Sequence, residues 1–271
     1  RFGDASRSFS GRAVRHDVEL ALGEPPGRDP AAEGLLPGFG LGRWRWGGPE
    51  RAFCLFVDAG ALGMGRNPGH GHADMLSFSL YVGGSEVVAD PGTYLYADRG
   101  EAMRFKLQEA HSTVCWDDRP VADLARFFRW RDAAAVPAAR LVAPPSGRSR
   151  PPAGVAELAY PDGRSHSRSW SLLPDGLRIV DVLLPGGRPG GHAVGRLALH
   201  PECRVYGLHS RGALVKSPAG TLRIELRGAA AGDCRVEEGW YAPAYGVRRA
   251  APVLAWPVAA GRAPAAVRTD I

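Results

Sequence analysis

The sequence has no apolar run near the roughly 20 residues that a membrane-crossing helix needs, which excludes a helical span. It shows no charged, apolar and small-residue leader of the secretory kind. The chain begins at Arg1, not at methionine. It therefore reads as a piece of a longer or processed product, and the missing leader is silent on localisation. Cysteine is sparse: Cys54, Cys115, Cys203 and Cys234 stand far apart with no C-x-x-C pair, which excludes a zinc ribbon. Cys54 and Cys115 fall in apolar runs and read as buried free thiols. Lysine is almost absent, with only Lys106 and Lys216. The net charge of +6 is thus carried by arginine, whose planar fork matches carboxylate and sulfate. That mildly favours an acidic ligand without separating polysaccharide from nucleic acid. No stretch reads as a helix of three or more turns, and no internal repeat is visible, which argues against helical and solenoid architectures.

Glycine and proline are abundant, with 36 and 23 residues, beside a hydrophobic content of 45%. This composition suits many short strands and tight turns around a buried core. Residues 1–50 lack periodicity and read as an irregular approach segment or linker, with a short strand or helical turn at 18–22. The pattern changes at Arg51, and residues 51–271 read as one β-sandwich domain. Residues 52–60 form a compact apolar strand, and further strands are expected at 111–116 and 127–136. A proline-rich surface loop covers 143–154. Strands then recur at 155–160, 165–172, 177–184, 192–200, 213–217, 222–226 and 253–256. Turn signals such as Pro161-Asp162-Gly163 and Pro174-Asp175-Gly176 separate them. The expected fold is all-β, a large antiparallel β-sandwich of jelly-roll type.

The densest chemistry lies at 69–94. His70 and His72 stand two apart among glycines, with Asp74 two further on. Leu76, Phe78, Leu80 and Val82 then alternate with Ser77, Ser79 and Tyr81, the period of a half-buried strand. Gly83-Gly84 supplies a tight turn, and the return strand stops at Asp90-Pro91-Gly92. A third histidine, His111, opens the next strand. A lone His-x-His pair is more often structural than functional. The glycine setting, the nearby Asp90 and the third histidine raise its weight. Histidine with carboxylate suits zinc or iron. With Gly83 and Gly84 as the turn, His72 and Asp90 fall five residues out of register, some 16 Å apart at about 3.3 Å per residue. Joint ligation therefore requires a bulge, or a chain that curls back at 69–74. Asp58 and Asp74 read as loop braces or as groups that orient a ligating histidine.

Together, Gly69-His70-Gly71-His72-Ala73-Asp74, the hairpin, Asp90-Pro91-Gly92-Thr93-Tyr94 and Ala110-His111-Ser112-Thr113-Val114 resemble the C-terminal domain of the heparinase II/III-like polysaccharide lyases. Weaker echoes are Arg168 and Asp181, Leu199-His200-Pro201, and the segment from Gly239 to Gly246. The resemblance covers roughly 50–258. It implies an antiparallel β-sandwich, the C-terminal half of a lyase whose N-terminal α/α-toroid is not visible in this chain. It implies cleavage of a uronic-acid polysaccharide by β-elimination, an acidic polysaccharide and the toroid as partners, no nucleic acid, and a bacterial, periplasmic or secreted setting. His70 matches the histidine that the sandwich adds to the cleft. His72, Asp90 and His111 match the ligands of a mainly structural zinc. Tyr94, Arg104 and Lys106 are the expected substrate contacts. Two positions depart from the pattern. Ser112 replaces an asparagine, and Lys106 stands where an arginine is frequent, which gives up bidentate carboxylate recognition. With the toroid base absent, the isolated chain is expected to be inactive.

Two other readings stand beside this one. A non-catalytic carbohydrate-binding sandwich would use Trp44, Trp46, Trp130 or Trp240 as stacking platforms, although each suits a core or hinge equally well. A jelly-roll iron oxygenase would use His72, Asp74 and His111 as a facial triad, with Arg119 anchoring an oxoacid.

Overall fold

A computed structural model describes residues 34–36, 39–48, 51–63, 68–97, 100–141, 152–186, 191–228, 233–260 and 264–271. The short element expected at 18–22, part of the loop before the histidines and most of the proline-rich loop lie outside these residues. Among the described residues the chain is built of antiparallel strands with one short helix, α1 (Gly100–Arg104). One sheet runs in order β1 (Leu41–Gly48), β2 (Arg51–Asp58), β3 (Ser77–Val82) and β4 (Ser85–Val88). A second runs β16 (Arg235–Ala244), β17 (Val247–Ala260), β12 (Gly191–Ala198) and β5 (Val114–Trp116). The two are joined by the bridge Val88↔Leu199, from the end of β4 to the residue after β12. Ala89 N donates to Ala198 O at 2.8 Å and His200 N to Val87 O at 3.0 Å across the same seam.

The third sheet has eight strands, in order β13 (Arg204–His209), β14 (Gly212–Ser217), β15 (Gly220–Arg227), β18 (Ala265–Asp270), β11 (Gly176–Leu184), β10 (Ser165–Leu173), β9 (Gly154–Ala159) and β8 (Ala135–Leu141). A two-stranded ribbon, β6 (Asp123–Arg126) and β7 (Arg129–Arg131), stands apart. One apolar core joins the sheets. Trp44, Leu55, Phe78, Leu80 and Trp256 meet Trp170, Ile179 and Ile224 in it. Each such side chain contributes about 1.5–3 kcal/mol by leaving water. This is the expected all-β sandwich.

Several local expectations needed revision. Residues 41–48 lie in the stretch read as irregular, yet form β1, because buried Trp44 and Trp46 alternate with half-buried Arg43 and Arg45. β13 is mostly exposed and so carries no alternation to read. The strand expected at 127–136 is two strands, broken at Asp132, whose φ of 50° no regular strand accepts. Ser77 and Ser79 are buried like their apolar neighbours, so β3 is covered on both faces. All four cysteines are buried and free.

β10 and β11 pair with Arg168 directly opposite Asp181. Alternation sends His166, Arg168, Trp170 and Leu172 into the core while the serines between them stay half-buried. Arg168 and Asp181 are thus an ion pair inside an apolar layer, each 2% exposed. The guanidinium meets the carboxylate from two nitrogens: Nε donates to Oδ1 at 2.7 Å and Nη2 to Oδ2 at 3.1 Å. His166 Nε2 reaches the same Oδ1 at 2.7 Å. Nη1 spans to two distant segments, donating to Leu76 O at 2.8 Å and to Ser112 O at 2.7 Å. Leu76 has a φ of 62°, a left-handed conformation that costs a leucine about 1–2 kcal/mol. The guanidinium fastens the carbonyl of that strained residue.

Burial pushes the Asp181 carboxyl up, but Arg168 and His166 outweigh it and hold the pKa at about 2. A depressed carboxyl contributes stability that is fully present above its unfolded value and is lost as pH falls through the folded one. Urea midpoints at pH 5 and pH 2.5 test this. The wild-type chain is expected to lose more stability between the two than Asp181→Asn, which starts lower. Equal losses would contradict the assignment.

Candidate functional site

Gly71, between the two histidines, packs backbone to backbone: a Cβ there would lie 2.7 Å from Gly63 N and Cα. Only glycine allows the chain to fold back so tightly. A 3-10 turn, Pro68–His70, precedes it, and β3 begins only at Ser77. The histidines therefore sit on a curled loop and not on a strand. The Gly83-Gly84 turn has the expected pairing, Val82 with Ser85, and a register shift follows between Leu80 and Tyr81. Curl and bulge together remove the separation that straight strands would impose.

The loop sends the two histidines to different places. His72 and His111 are both fully buried, with ring centroids 5.6 Å apart. His70 is exposed, against Phe128 at 5.1 Å and Tyr96 at 5.8 Å between ring centroids. Tyr96, Phe128 and Tyr245 extend this aromatic wall, and all three are exposed.

Asp74, Asp90 and His111 offer ligand atoms within 4.8 Å of one another, all buried. Asp74 thus takes the place expected of His72 in the close trio. His72 stands beside it, its Nε2 3.2 Å from Thr93 Oγ1. His111 Nδ1 meets Asp90 Oδ2 at 2.9 Å, and Asp90 Oδ1 accepts from Gly92 N at 2.9 Å. Burial pushes the Asp90 carboxyl up, yet the charge and hydrogen bond of His111 bring it to about 2. Burial pushes His111 down, and Asp90 with Asp74 more than offsets this, so its pKa is raised. Asp74 is raised by burial, against the pull of His111 and His72. Among the described residues, His111 Nε2 and Asp74 Oδ2 are buried without a hydrogen-bond partner. Such atoms are costly unless something occupies them. An imidazole and two carboxylates suit a divalent cation with nitrogen and oxygen preference. The spacing of Asp74 signalled this, since it completes the His-x-Asp that the oxygenase reading used. Asp58 is a loop brace as expected, its Oδ1 accepting from Gly60 N at 2.8 Å.

The expected substrate contacts divide. Tyr94 is half-buried, its ring 5.6 Å from Phe105 and beneath the guanidinium of Arg248 at 5.4 Å. Arg104 is exposed at the end of α1 and lines a cleft that Asp74, Asp90 and His111 do not line. Lys106, expected to meet the sugar, is instead fully buried. Its Nζ donates to Gly69 O at 2.6 Å and Phe127 O at 2.7 Å, under the Phe127 ring at 4.5 Å. The ammonium thus satisfies two backbone carbonyls. Lys106 thereby anchors the residue before His70. Ser112, the other departure, uses both its oxygens: Oγ accepts from Ala198 N at 3.0 Å and O from Arg168.

Residues 28–265 match the family described as heparinase II/III-like, C-terminal. Among solved structures, the heparan sulfate lyase HepC of Pedobacter heparinus is similar at 16% identity and a TM-score of 0.65, over 91% of this chain and 36% of that one. A heparinase III gene product is similar at 17% identity and a TM-score of 0.63, over 97% of this chain and 41% of that one. A structure described as heparinase III is similar at 14% identity and a TM-score of 0.66, over 85% of this chain and 35% of that one. No curated protein matches in sequence. This chain therefore spans well under half the length of these structures, and at such identities they speak for the fold. The chain belongs to the heparinase II/III-like C-terminal family.

Proposed function

We propose that this chain is the sandwich part of a polysaccharide lyase that cleaves a uronic-acid-containing, acidic polysaccharide by β-elimination. The observation that carries the reading is His70, which stands exposed on a loop braced by Gly71 and Lys106 and anchored beside a buried acid–histidine cluster. Elimination needs a base for the proton α to the uronate carboxylate, neutralisation of that carboxylate, and an acid for the departing glycosidic oxygen. An imidazole on a rigid loop can give or take one of these protons. Tyr94 and Arg104 are proposed as sugar contacts. Lys106 acts through Gly69 as a positioning residue. The remaining groups would come from a second, toroid-like domain, so the isolated chain is inactive.

We further propose that Asp74, Asp90 and His111 hold a zinc ion, with His72 alongside. The donor set fits, because Asp74, Asp90 and His111 each bring one ligand atom within 4.8 Å of the others, with His111 Nδ1 already 2.9 Å from Asp90 Oδ2. Zinc there would neutralise buried carboxylates and tie the loop to β5, a structural service. His70 lies outside the trio.

Metal analysis of the purified chain is expected to find about one zinc per chain, lost in His111→Ala and reduced in Asp74→Ala. Iron would favour the oxygenase reading, and no metal would remove the site. In a protein that joins this chain to its second domain, His70→Ala is expected to lower formation of unsaturated uronate about 10²–10⁴-fold while retaining zinc. Near-native turnover in that variant, or clear turnover by the isolated chain, would overturn the catalytic reading.

A further inference from the structure

A cleft of about 320 Å³ lies between the segment following α1 and the strands β12, β16 and β17. Its volume is at the lower end of small-ligand sites, which run from roughly 300 to 1,000 Å³. Pro91 and Ala110, the neighbours of Asp90 and His111, form part of its wall, but no metal ligand lines it. Nor does His70 or any ring that His70 touches. Three carboxylates, Glu109, Glu237 and Glu238, face two guanidiniums, Arg104 and Arg196. Arg196 and Glu237 satisfy each other, with Nε donating to Oε2 at 3.0 Å. Among the described residues, Arg104, Glu109 and Glu238 make no ion pair or side-chain hydrogen bond.

The side of the cleft is Trp240, half-buried and held in place by Arg248 at 4.1 Å from its ring, itself paired with Glu101 at 2.7 Å. An aromatic wall, an apolar floor and hydrogen-bonding groups of both signs meet the needs of a pyranose, which has an apolar C–H face and a rim of hydroxyls. The surplus of carboxylate opposes a uronate, whose charge would lie among like charges.

We propose that this cleft binds one uncharged pyranose unit of a glycan, stacked on Trp240 with its hydroxyls shared among Arg104, Glu109 and Glu238. It would hold a sugar other than the uronate that elimination acts on. The binding does not depend on the catalytic role of His70.

Saturation-transfer difference NMR on the chain, with N-acetylglucosamine and separately with glucuronic acid, tests the proposal. Saturable binding of N-acetylglucosamine is expected, strongest at the ring protons of its apolar face. Trp240→Ala and Glu238→Ala should each weaken it about tenfold, near 1.4 kcal/mol, and His70→Ala should leave it unchanged. Glu238 is exposed, so its variant carries the test if Trp240→Ala does not fold. The absence of saturable binding, equal or tighter binding of glucuronic acid, or indifference to the variants would overturn the proposal. Loss of lyase turnover in His70→Ala of the protein that joins this chain to its second domain, with sugar binding by the chain intact, separates the two sites.

Discussion

The guanidinium of Arg168 is the point at which three parts of the chain meet. It pairs with Asp181 across β10 and β11, and it reaches the carbonyls of Leu76 and Ser112 from one nitrogen. A charge buried in an apolar layer is tolerated only if its hydrogen-bonding capacity is met. Here the carboxylate and the two carbonyls meet it. Removing one partner of such a pair costs about 3–5 kcal/mol because the other is left stranded. The pair is consequently a weak source of net stability, and what it adds is the fastening of Leu76 and Ser112 to β10.

That fastening places the chemistry. Leu76 lies two residues after Asp74, and Ser112 directly follows His111. Fixing their carbonyls fixes the backbone that brings Asp74 and His111 to Asp90. On the far side of the same loop, Lys106 holds Gly69, and the contact of Gly71 with Gly63 prevents the loop from straightening. His70 is thereby exposed and His72 buried, although alternation along a strand would have sent both the same way. The loop thus presents the His70 imidazole to solvent and keeps His72, Asp74, Asp90 and His111 buried behind it.

The architecture was legible in the sequence wherever buried and exposed residues alternate. β9, β10, β11, β12, β14 and β15 could be read from that period and their turns. β1 carries the same alternation through Trp44 and Trp46 but lies in a stretch whose glycine, proline and arginine content reads as irregular, and β13 is hidden because nearly all of its residues are exposed. The family was legible from the His, Asp and Gly pattern, since those residue types are fixed by geometry. The identity of the close trio was not. Whether His72 or Asp74 completes the close trio with Asp90 and His111 depends on a loop curl and a register shift, neither of which the local residue pattern fixes. Lys106 was misleading for a related reason. A cation near a candidate site suggests a ligand contact, yet its partners are backbone carbonyls, which have no sequence signature. The cleft at Trp240 gathers residues from five separate segments, so no local pattern announced it.

Native-state hydrogen exchange of Arg168→Met is the most direct test of the central role given to this guanidinium. The comparison should be with a core variant of equal global destabilisation, such as Leu183→Ala. The amides of Ser77 and Thr113, bonded to Asp74 O and His111 O at 2.9 Å each, report on the two fastened segments. Their protection is expected to fall further in Arg168→Met than in the matched control, while that of β14 and β15 changes equally in both. Equal losses at Ser77 and Thr113 in the two variants would show that the segments hold their places without the clamp, and would contradict the account.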